Sequence, residues 1–369
     1  MEKNDKYMDL ALRMSLKAKG LTSPNPLVGA VVVKNNKIVS TGFHKRAGLE
    51  HAEIVALKKA KEKVKGAYLY VTLEPCSSFG KTPPCTEAII KSGIKKVIIG
   101  MIDPNPEHRG RAIKIFKKHN INVASGILKD KIREINQPFI KYIKKNLPYI
   151  TLKVAQTLDG KIATKIGDSR WVTSLKARKI SHKMRRDFDA IMVGINTILN
   201  DNPLLNLDKN SDGKKFYKII LDTNFRIRKR MRIFNDISKF PVIIATSNDS
   251  FLRDAKKIKY LVNKGVIVLG VGKKYGVLDT EDLLKKLAYF EITNILVEGG
   301  GQLAGSLFDN NLVDKVLFFI SPKIIGGKES ISSVQGLGID KMAAAKEVND
   351  TKIRQIGKDL LIEGVLRKY

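Results

Sequence analysis

Residues 73–85 read LEPCSSFGKTPPC, and this stretch decides the fold class of the first part of the chain. It contains the only two cysteines, Cys76 and Cys85, which have eight residues between them and a proline immediately before each. The apolar run AYLYVTL (67–73) is typical of a buried strand, and CTEAIIKSG (85–93) has the pattern of a helix. The stretch therefore joins a strand to a helix, as in an α/β domain.

The length and composition indicate a protein of two domains. At 369 residues the chain is longer than one ordinary hydrophobic core, and its apolar runs stay shorter than the roughly 18 to 20 residues of a membrane span. The N-terminal segment 1–20 predicts an amphipathic helix and lacks the continuous apolar core of a secretory signal. We therefore expect no membrane association and a cytoplasmic location, where cysteines are more often metal ligands or catalytic groups than disulfides.

The strongly basic composition suggests a nucleic-acid partner, but the distribution of charge does not favour one. The chain carries 68 Lys and Arg against 36 Asp and Glu, a formal charge of +32. Nucleic-acid interfaces group their basic residues in one patch or tail, whereas here they are spread along the whole chain. Compositional drift and anionic small substrates account for the charge more simply, and we expect no nucleic-acid partner.

Apolar runs alternate with helical patterns throughout, which is typical of α/β proteins. In the first part, residues 28–42 predict two strands joined by an Asn-Asn turn, and residues 50–64 predict a helix. The second part contains predicted strands at 150–157, 190–196, 216–223, 241–247, 265–271, 294–300 and 315–322, and predicted helices that include 174–188 and 280–290. A basic segment with prolines near both ends places the boundary near Asn146, which predicts domains at 1–146 and 147–369.

A candidate metal site combines the two cysteines with GLEHAEIVALKKA (48–60). His51, Cys76 and Cys85 form a nitrogen–sulfur set of three ligands, which suits a catalytic zinc ion with a fourth position open for water. Such an ion would lower the pKa of that water toward neutrality and create a hydroxide nucleophile. Glu53 lies two residues after His51 and is placed to move protons, as in the zinc-dependent deaminases of amino-bearing rings.

A simpler interpretation is that His51 caps a helix and that both cysteines are small core residues. Each residue taken singly favours that interpretation, but their combination with a glutamate and two prolines favours the metal site. Zinc deaminases usually have two residues between the cysteines, whereas eight intervene here. Cys85 nevertheless lies at a predicted helix N-terminus, where the helix dipole favours a thiolate.

These motifs resemble those of the bifunctional riboflavin-biosynthesis deaminase–reductases. In the first part the resemblance rests on SPNPLVGAVVV (23–33), GFHKRAGLEHAEIVAL (42–57) and VTLEPCSSFGKTPPC (71–85), including the long insert between the cysteines. In the second part it rests on LKVAQTLDGKIA (152–163), SRWVTS (169–174), MRRDFDAIMVGINTILNDNPLL (184–205) and ILVEGGGQL (295–303). The resemblance covers nearly the whole chain in the order of the family.

The resemblance implies a fold and a reaction for each domain. The first domain would be a cytidine-deaminase-like three-layer α/β domain, and the second a dihydrofolate-reductase-like α/β domain. The first would hydrolyse the ring amino group of a phosphoribosylated diaminopyrimidinone, and the second would use NADPH to reduce the ribosyl group to a ribityl chain. The implied cofactors are therefore zinc and NADPH, the implied substrate is a phosphorylated pyrimidine, and the implied assembly is a homo-oligomer.

By motif position, the resemblance also implies contacts with the deaminase substrate. Asn25 would hold the pyrimidine, while His44 and Lys81 would approach the ribose phosphate. Without the resemblance, Asn25 between two prolines would be interpreted as a turn residue, and His44 as a surface residue at a strand end. Ser78 stands where the family usually has histidine, which removes a donor from the substrate loop.

In the second part, glycines 299–301 lie between a predicted strand and a predicted helix. Their backbone N–H groups can approach a phosphate, although three glycines also suit a tight turn. The resemblance implies NADPH contacts at Ala155, Trp171, Thr197, Asp201, Thr223, Gly299, Gly300, Gly301, Gln302, Leu303, Ala304, Gly305 and Ser306. It implies substrate contacts at Lys153, Ser169, Arg185, Leu205 and Glu298.

The expected roles of the reductase residues are largely electrostatic. Lys153 and Arg185 would balance the substrate phosphate, Arg185 through a bidentate fork. Asp201 is a candidate for assisting protonation. Asp208 stands where the family commonly has arginine, so either Lys209 replaces that contact or the loop runs differently.

Two other hypotheses remain open on the sequence. A deaminase acting on tRNA or single-stranded DNA would explain the charge, but it predicts a two-residue spacing between the cysteines and stacking aromatic residues, and it leaves VEGGGQL (297–303) unexplained. A chain with only one active domain would explain the departures at Ser78 and Asp208. Separate assays of the two half-reactions discriminate these hypotheses from the bifunctional enzyme.

Overall fold

A computed structural model describes residues 3–79, 83–208 and 213–369. The chain forms two compact units, Met1–Asn146 and Leu147–Tyr369, called unit 1 and unit 2 below. In the described ranges, no helix is long and apolar enough to cross a membrane.

Unit 1 is a five-stranded sheet with helices. Its elements in chain order are α1 (Lys3–Leu16), β1 (Gly29–Lys34), β2 (Lys37–Phe43), α2 (Ala52–Ala60), β3 (Tyr68–Leu73), α3 (Cys85–Lys91), β4 (Lys96–Met101), α4 (Arg111–Lys118), β5 (Asn122–Ser125), α5 (Lys129–Ile135) and α6 (Gln137–Lys145). The strand order is β2-β1-β3-β4-β5. The β1–β2 and β1–β3 pairs are antiparallel, whereas β3, β4 and β5 run parallel.

Two glycines show that helices cover both faces of this sheet. A Cβ on Gly29 would lie 1.9 Å from the carbonyl oxygen of Ala11 in α1, and one on Gly42 would lie 2.3 Å from that of Ala52 in α2. Gly42 pairs with Ala30, the neighbour of Gly29, so the two glycines face opposite sides of the sheet. Helices α1 and α2 therefore pack on opposite faces, which confirms the predicted three-layer arrangement.

Unit 2 is built on a nine-stranded sheet. Its first elements are β6 (Tyr149–Thr157), β7 (Lys161–Ala163), α7 (Leu175–Met184), β8 (Ala190–Gly194), α8 (Ile195–Asp201), β9 (Tyr217–Leu221), β10 (Val242–Ser247), α9 (Asn248–Arg253), α10 (Ala255–Asn263) and β11 (Ile267–Val271). The remaining elements are β12 (Lys273–Lys274), β13 (Val277–Leu278), α11 (Thr280–Ala288), β14 (Asn294–Glu298), α12 (Gly301–Asp309), β15 (Lys315–Ser321), β16 (Ile331–Ser332), β17 (Asn349–Ile356) and β18 (Asp359–Val365).

The order of the large sheet is β11-β10-β9-β8-β14-β6-β15-β18-β17. Seven neighbouring strands from β11 to β15 run parallel, and β18 and β17 continue the sheet as an antiparallel hairpin. Successive residues of β8 belong to different core clusters, Ala190 and Met192 to one and Ile191 and Val193 to the other. Both faces of the parallel part are therefore buried, as its continuous apolar runs predict.

Candidate active sites

The three predicted metal ligands lie together in unit 1. His51 immediately precedes α2, Cys85 is the first residue of α3, and Cys76 lies in the loop after β3. His51 Nδ1 is 3.2 Å from Cys85 Sγ and 3.5 Å from Cys76 Sγ, and the ligand atoms of all three residues lie within 4.8 Å of one another. Tetrahedral zinc, with Zn–S of about 2.3 Å and Zn–N of about 2.0 Å, separates nitrogen from sulfur by about 3.5 Å. The three side chains therefore fit a zinc ion.

By themselves, the two thiols ionise very differently. The pKa of Cys76 is lowered to about 4, chiefly because the Cys85 thiol donates a hydrogen bond to its sulfur, with a further contribution from His51. The pKa of Cys85 is raised, because this thiol donates that hydrogen bond and is buried. Two thiolates this close together would repel each other, and a bound zinc ion would supply the positive charge that stabilises both.

Glu53 is a buried carboxyl group beside the metal ligands. It lies in the first turn of α2 and is 3% exposed. Burial raises its pKa to about 7, against the opposing effects of the His51 charge and of a hydrogen bond with Cys85. A carboxyl group with a pKa near 7 can both accept and donate a proton at physiological pH.

Asn25 and His44 adjoin this cluster. His44 Nδ1 lies 3.1 Å from the carbonyl oxygen of Glu50, and Asn25 Nδ2 lies 3.1 Å from His44 Nε2. His44 therefore donates from Nδ1 and accepts at Nε2, so its ring is neutral. Burial lowers the pKa of His44, which keeps the neutral form. The His44 ring meets the His51 ring edge-on, with centroids 5.5 Å apart. The hydrogen bond from Asn25 to His44 therefore places the Asn25 amide near the metal ligands. The predicted contact Lys81 lies outside the described residues.

Glu74 was not predicted, and it organises the loop that follows β4. Its carboxylate is 4% exposed and accepts three backbone N–H bonds, from Asp103 at 3.1 Å, Gly110 at 2.9 Å and Ala112 at 3.0 Å. Glu74 lies two residues before Cys76 and holds this loop at the carboxyl edge of the parallel strands. An acid at the end of an apolar strand run was the available sequence signal.

Unit 2 contains a cavity of about 330 Å³. Its wall includes six of the thirteen predicted NADPH contacts, namely Thr197, Thr223, Gly300, Gln302, Leu303 and Ser306. Gly300 faces open space, so a ligand can approach its backbone closely. Gly301 and Gly305 pack instead against the backbone of Ser332 and Gln335, where a Cβ would lie 2.3 and 2.0 Å from a carbonyl oxygen.

The other predicted NADPH contacts do not line this cavity. Ala304 is buried in the core, and Ala155, on β6, packs against a separate core cluster that includes Leu317 and Phe319 of β15. Trp171 is 60% exposed, and the Arg178 guanidinium lies 3.6 Å from its ring centroid. Asp201 forms an ion pair with Arg170 at 3.9 Å, and Gly299 adopts a φ of +147° at the turn into α12.

Three predicted substrate residues form a buried ion cluster at the end of β14. Glu298 pairs with Lys153 across the strands, and its Oε2 lies 3.4 Å from Lys153 Nζ. Arg185 donates from Nε to Glu298 Oε1 at 3.0 Å and from Nη2 to Oε2 at 3.1 Å. Burial alone would raise the pKa of Glu298, but the charges of Arg185 and Lys153 lower it to about 2. The bidentate fork of Arg185 therefore holds a protein carboxylate, and Lys153 keeps N–H donors beyond the one it gives to Glu298.

The remaining edge of Arg185 is held by a chain of side chains that includes Asp208. Arg185 Nη1 lies 3.0 Å from His182 Nε2, and His182 Nδ1 lies 3.1 Å from Asp208 Oδ1. Because a guanidinium has no acceptor, His182 accepts at Nε2 and donates from Nδ1 to Asp208. Arg186 Nη2 also lies 3.7 Å from Asp208. Asp208 is thus paired with basic side chains of this unit, whereas Lys209 lies outside the described residues.

The last two predicted substrate contacts lie on loops. Leu205 has a φ of +53°, and its side chain packs into the core, so only its backbone faces outward. Ser169 is exposed in the loop before α7.

Comparisons with known proteins match a family to each of the two units. Residues 148–362 match the family model of the RibD C-terminal domain, and residues 1–101 match that of the cytidine and deoxycytidylate deaminase zinc-binding region. The chain is 43% identical to the riboflavin biosynthesis protein RibD of Aquifex aeolicus over 356 residues, 96% of each protein. It is 34% identical to that of Escherichia coli, over 96% of this chain and 97% of the relative.

Solved structures give the same relationship over the whole chain. Acinetobacter baumannii RibD matches with a TM-score of 0.87 at 30% identity, covering 98% of both chains. The diaminohydroxyphosphoribosylaminopyrimidine deaminase/5-amino-6-(5-phosphoribosylamino)uracil reductase of Thermotoga maritima matches with a TM-score of 0.82 at 34% identity, again over 98% of both chains. With sequence identity and fold shared over nearly all of its length, this chain belongs to the RibD family of riboflavin-biosynthesis proteins.

Proposed function

We propose that this chain catalyses two successive steps of riboflavin biosynthesis. Residues 1–146 deaminate 2,5-diamino-6-(5-phosphoribosylamino)pyrimidin-4-one with zinc, and residues 147–369 reduce the ribosyl group of the product to ribityl with NADPH. Membership of the RibD family supports this, since a relative of nearly the same extent carries both activities in its name. The observation that carries the proposal is the His51, Cys76 and Cys85 cluster beside buried Glu53.

In the deaminase site each residue has a separate task. His51, Cys76 and Cys85 would hold zinc, which supplies a water acidic enough to act as a nucleophile near neutral pH. Glu53 takes a proton from the attacking water and delivers it to the departing amino group, which leaves as ammonia. Its pKa near 7 suits both transfers. Asn25, oriented by neutral His44, hydrogen-bonds the edge of the pyrimidine.

In the reductase site the protein mainly positions the cofactor and the substrate and balances their charges. NADPH would supply a hydride to C1′ of the ring-opened imine form of the ribosylamine, and the imine nitrogen would take up a proton to become the amine. The glycine turn before α12, with Gly300 open to the cavity, receives the cofactor phosphates. Lys153 faces the substrate as the cation, while Glu298 and Arg185 hold it in place. Asp201 is kept as a cofactor contact that assists protonation, and the backbone at Leu205 faces the substrate.

The same proposal includes a homo-oligomer in the cytoplasm. Strand β17 is the edge of the large sheet, is exposed along nearly all its length, and presents Ile353 at 63% exposure. Exposed edge strands pair readily with a second copy. Light scattering should give at least twice the mass of one chain, and Ile353→Lys should reduce it. A reducing compartment is supported by Cys76 and Cys85, both of which are free thiols.

Two linked assays on the purified protein test the proposed function. The phosphoribosyl diaminopyrimidinone is supplied first without NADPH, and ammonia is measured; NADPH is then added and its oxidation followed, with zinc quantified on the same sample. We expect ammonia, then NADPH oxidation, and one zinc per chain. Ammonia without NADPH oxidation would contradict the reductase half and make Asp208 the first residue to test. Neither activity in a zinc-loaded protein would contradict the proposal as a whole.

A further inference from the structure

The segment that leads from Asn25 into β1 is not held by a regular ladder of backbone hydrogen bonds. Both residues that flank Asn25 are prolines, which have no N–H group, and residues 24–28 form neither helix nor strand. Leu27 and Val28 are nevertheless only 8% and 9% exposed. Buried backbone groups need hydrogen-bond partners, so the position of this segment depends on partners from elsewhere in the chain.

Asn136 supplies such partners from the junction of α5 and α6. Its Oδ1 accepts the backbone N–H of Leu27 at 2.8 Å, and its Nδ2 donates to the carbonyl oxygen of Leu27 at 3.2 Å. Nδ2 also donates to the carbonyl oxygen of Ile132 at 3.2 Å. The reverse orientation of the amide would bring its NH₂ group against an N–H and its oxygen against two carbonyl oxygens. Asn136, which is 2% exposed, therefore holds both backbone groups of Leu27, as a neighbouring strand would.

The segment that Asn136 holds contacts His44 at both of its ends. The carbonyl oxygen of Val28 accepts the backbone N–H of His44 at 3.0 Å, and Asn25 Nδ2 lies 3.1 Å from His44 Nε2. Leu27 lies between these two contacts in the chain. A shift of Leu27 would move both of them, so the place of the Asn25 amide depends on the hydrogen bonds that hold Leu27.

Building on the proposed deaminase function, we propose that Asn136 is a positioning residue for the pyrimidine. It holds Leu27 and thereby fixes the Asn25 amide, which hydrogen-bonds the edge of the ring. The three described hydrogen bonds of the Asn136 side chain all go to backbone atoms, so its effect on the ring passes through the segment. A purely structural role at the junction of α5 and α6 would need only the bond to Ile132.

Steady-state kinetics of ammonia release separate this role from a general loss of stability. Asn25 binds the ring before and during the reaction alike, so its displacement raises KM and changes kcat less. Asn136→Ala should therefore raise KM about tenfold or more, with kcat within about threefold of wild type and zinc still bound. A variant that is merely less stable contains fewer folded molecules, which lowers the apparent kcat and leaves KM unchanged.

A double-mutant cycle tests whether the effect passes through Asn25. Asn25→Ala alone should raise KM by a factor similar to that of Asn136→Ala. Adding Asn136→Ala to Asn25→Ala should then raise KM by no more than about twofold further, because the amide that Asn136 positions is already absent. Two independent effects would multiply instead.

Hydrogen exchange measures the contact with Leu27 without any substrate. Within residues 24–28 the amide hydrogens belong to Asn25, Leu27 and Val28, since the other two residues are prolines. Exchange in this segment should accelerate about tenfold or more in Asn136→Ala, as expected when a buried N–H loses its acceptor. Exchange within β1 should stay at the wild-type rate, because its two neighbouring strands remain in place.

Two further variants serve as comparisons. Tyr70→Phe removes another side-chain hydrogen bond of unit 1, from the Tyr70 hydroxyl to Asn4 Oδ1 at 2.9 Å, and should change neither KM nor exchange in residues 24–28. Asn136→Asp keeps the size of the side chain and an acceptor for the Leu27 N–H but loses the donor to the Leu27 oxygen. It should also raise KM, and it provides the test if Asn136→Ala does not fold.

The inference is overturned if the Asn136 variants keep the wild-type KM, or if Asn136→Ala raises KM by the same factor with and without Asn25→Ala. An equal rise in Tyr70→Phe overturns it as well, and unchanged exchange in residues 24–28 refutes the contact with Leu27. A wild-type protein that releases no ammonia contradicts the proposed deaminase together with this inference. If wild type releases ammonia and the Asn136 variants keep its KM, only the positioning role is refuted.

Discussion

Replacing Glu298 by glutamine should destabilise unit 2 substantially. Glu298 sits between the Arg185 fork and Lys153, and all three side chains are only 10–15% exposed. Glutamine keeps the size of the side chain but removes its charge, so two cations remain buried without their anion. Breaking a buried ion pair in this way costs more than removing an exposed one.

The magnitude follows from the pKa of the carboxyl group. The two cations hold the pKa of Glu298 at about 2 instead of its ordinary 4.5, a difference that corresponds to about 3 kcal/mol at neutral pH. The usual cost of breaking a buried pair, about 3 to 5 kcal/mol, agrees with this value. For a unit of about 220 residues each kcal/mol lowers the melting temperature by about 2 to 4 °C, so we expect a fall of about 6 to 12 °C.

Tryptophan fluorescence can follow unit 2 in the full chain. Trp171 is the only tryptophan and belongs to this unit. Glu281→Gln is a matched control, because Glu281 pairs with Lys285 at 2.9 Å on the exposed face of α11 and should contribute less than about 1 kcal/mol.

The stability that Glu298 contributes should depend on pH in a definite direction. Because the folded pKa is depressed, the stabilisation is complete above the unfolded pKa of about 4.5 and disappears as pH falls toward 2. The difference between wild type and Glu298→Gln should therefore be constant from pH 7 to about 5.5 and shrink below that. A fall of less than about 2 °C at pH 7 would refute the reasoning, since it would mean that desolvation cancels the attraction.

Three other predictions concern the two sites. Glu74→Gln leaves at least one backbone N–H facing an amide NH₂, so hydrogen exchange within residues 103–112 should accelerate about tenfold or more; unchanged exchange would contradict the role of Glu74. His182→Ala removes an acceptor from Arg185, so KM for the ribosylamino substrate should rise about fivefold with kcat nearly constant, while Lys183→Ala changes neither; an unchanged KM would show that Glu298 alone fixes the guanidinium. Removing zinc with a chelator should abolish ammonia release and leave NADPH oxidation with the deaminated substrate intact; loss of both would contradict independent sites.

The sequence predicted the elements whose signals are local. The Asn-Asn turn was predictable because Asn35 and Asn36 both tolerate the positive φ, +49° and +61°, that a tight hairpin turn needs. The buried parallel strands were predictable from their continuous apolar runs. The metal site was predictable because His51 and Cys85 lie at the starts of helices that the sequence indicates.

Features that depend on distant parts of the chain were not predictable. Strands β17 and β18 were not predicted, because β17 is an exposed edge strand without an alternating apolar pattern. The pairing of Arg185 with Glu298 joins residues 113 positions apart. The guanidinium of Arg185, which was predicted to bind the substrate phosphate, binds a protein carboxylate instead. The hydrogen bonds between Asn136 and Leu27 likewise join residues 109 positions apart, and nothing local marks Asn136.

The central claim is that Glu53 moves protons for deamination in a site independent of the reductase. Its most direct test is Glu53→Gln, assayed for ammonia release, for zinc content and for NADPH oxidation with the deaminated substrate. The account predicts a fall in ammonia release of at least about 100-fold, one zinc per chain, and unchanged NADPH oxidation. A Glu53→Gln protein that retains its zinc and releases ammonia at nearly the wild-type rate would contradict it.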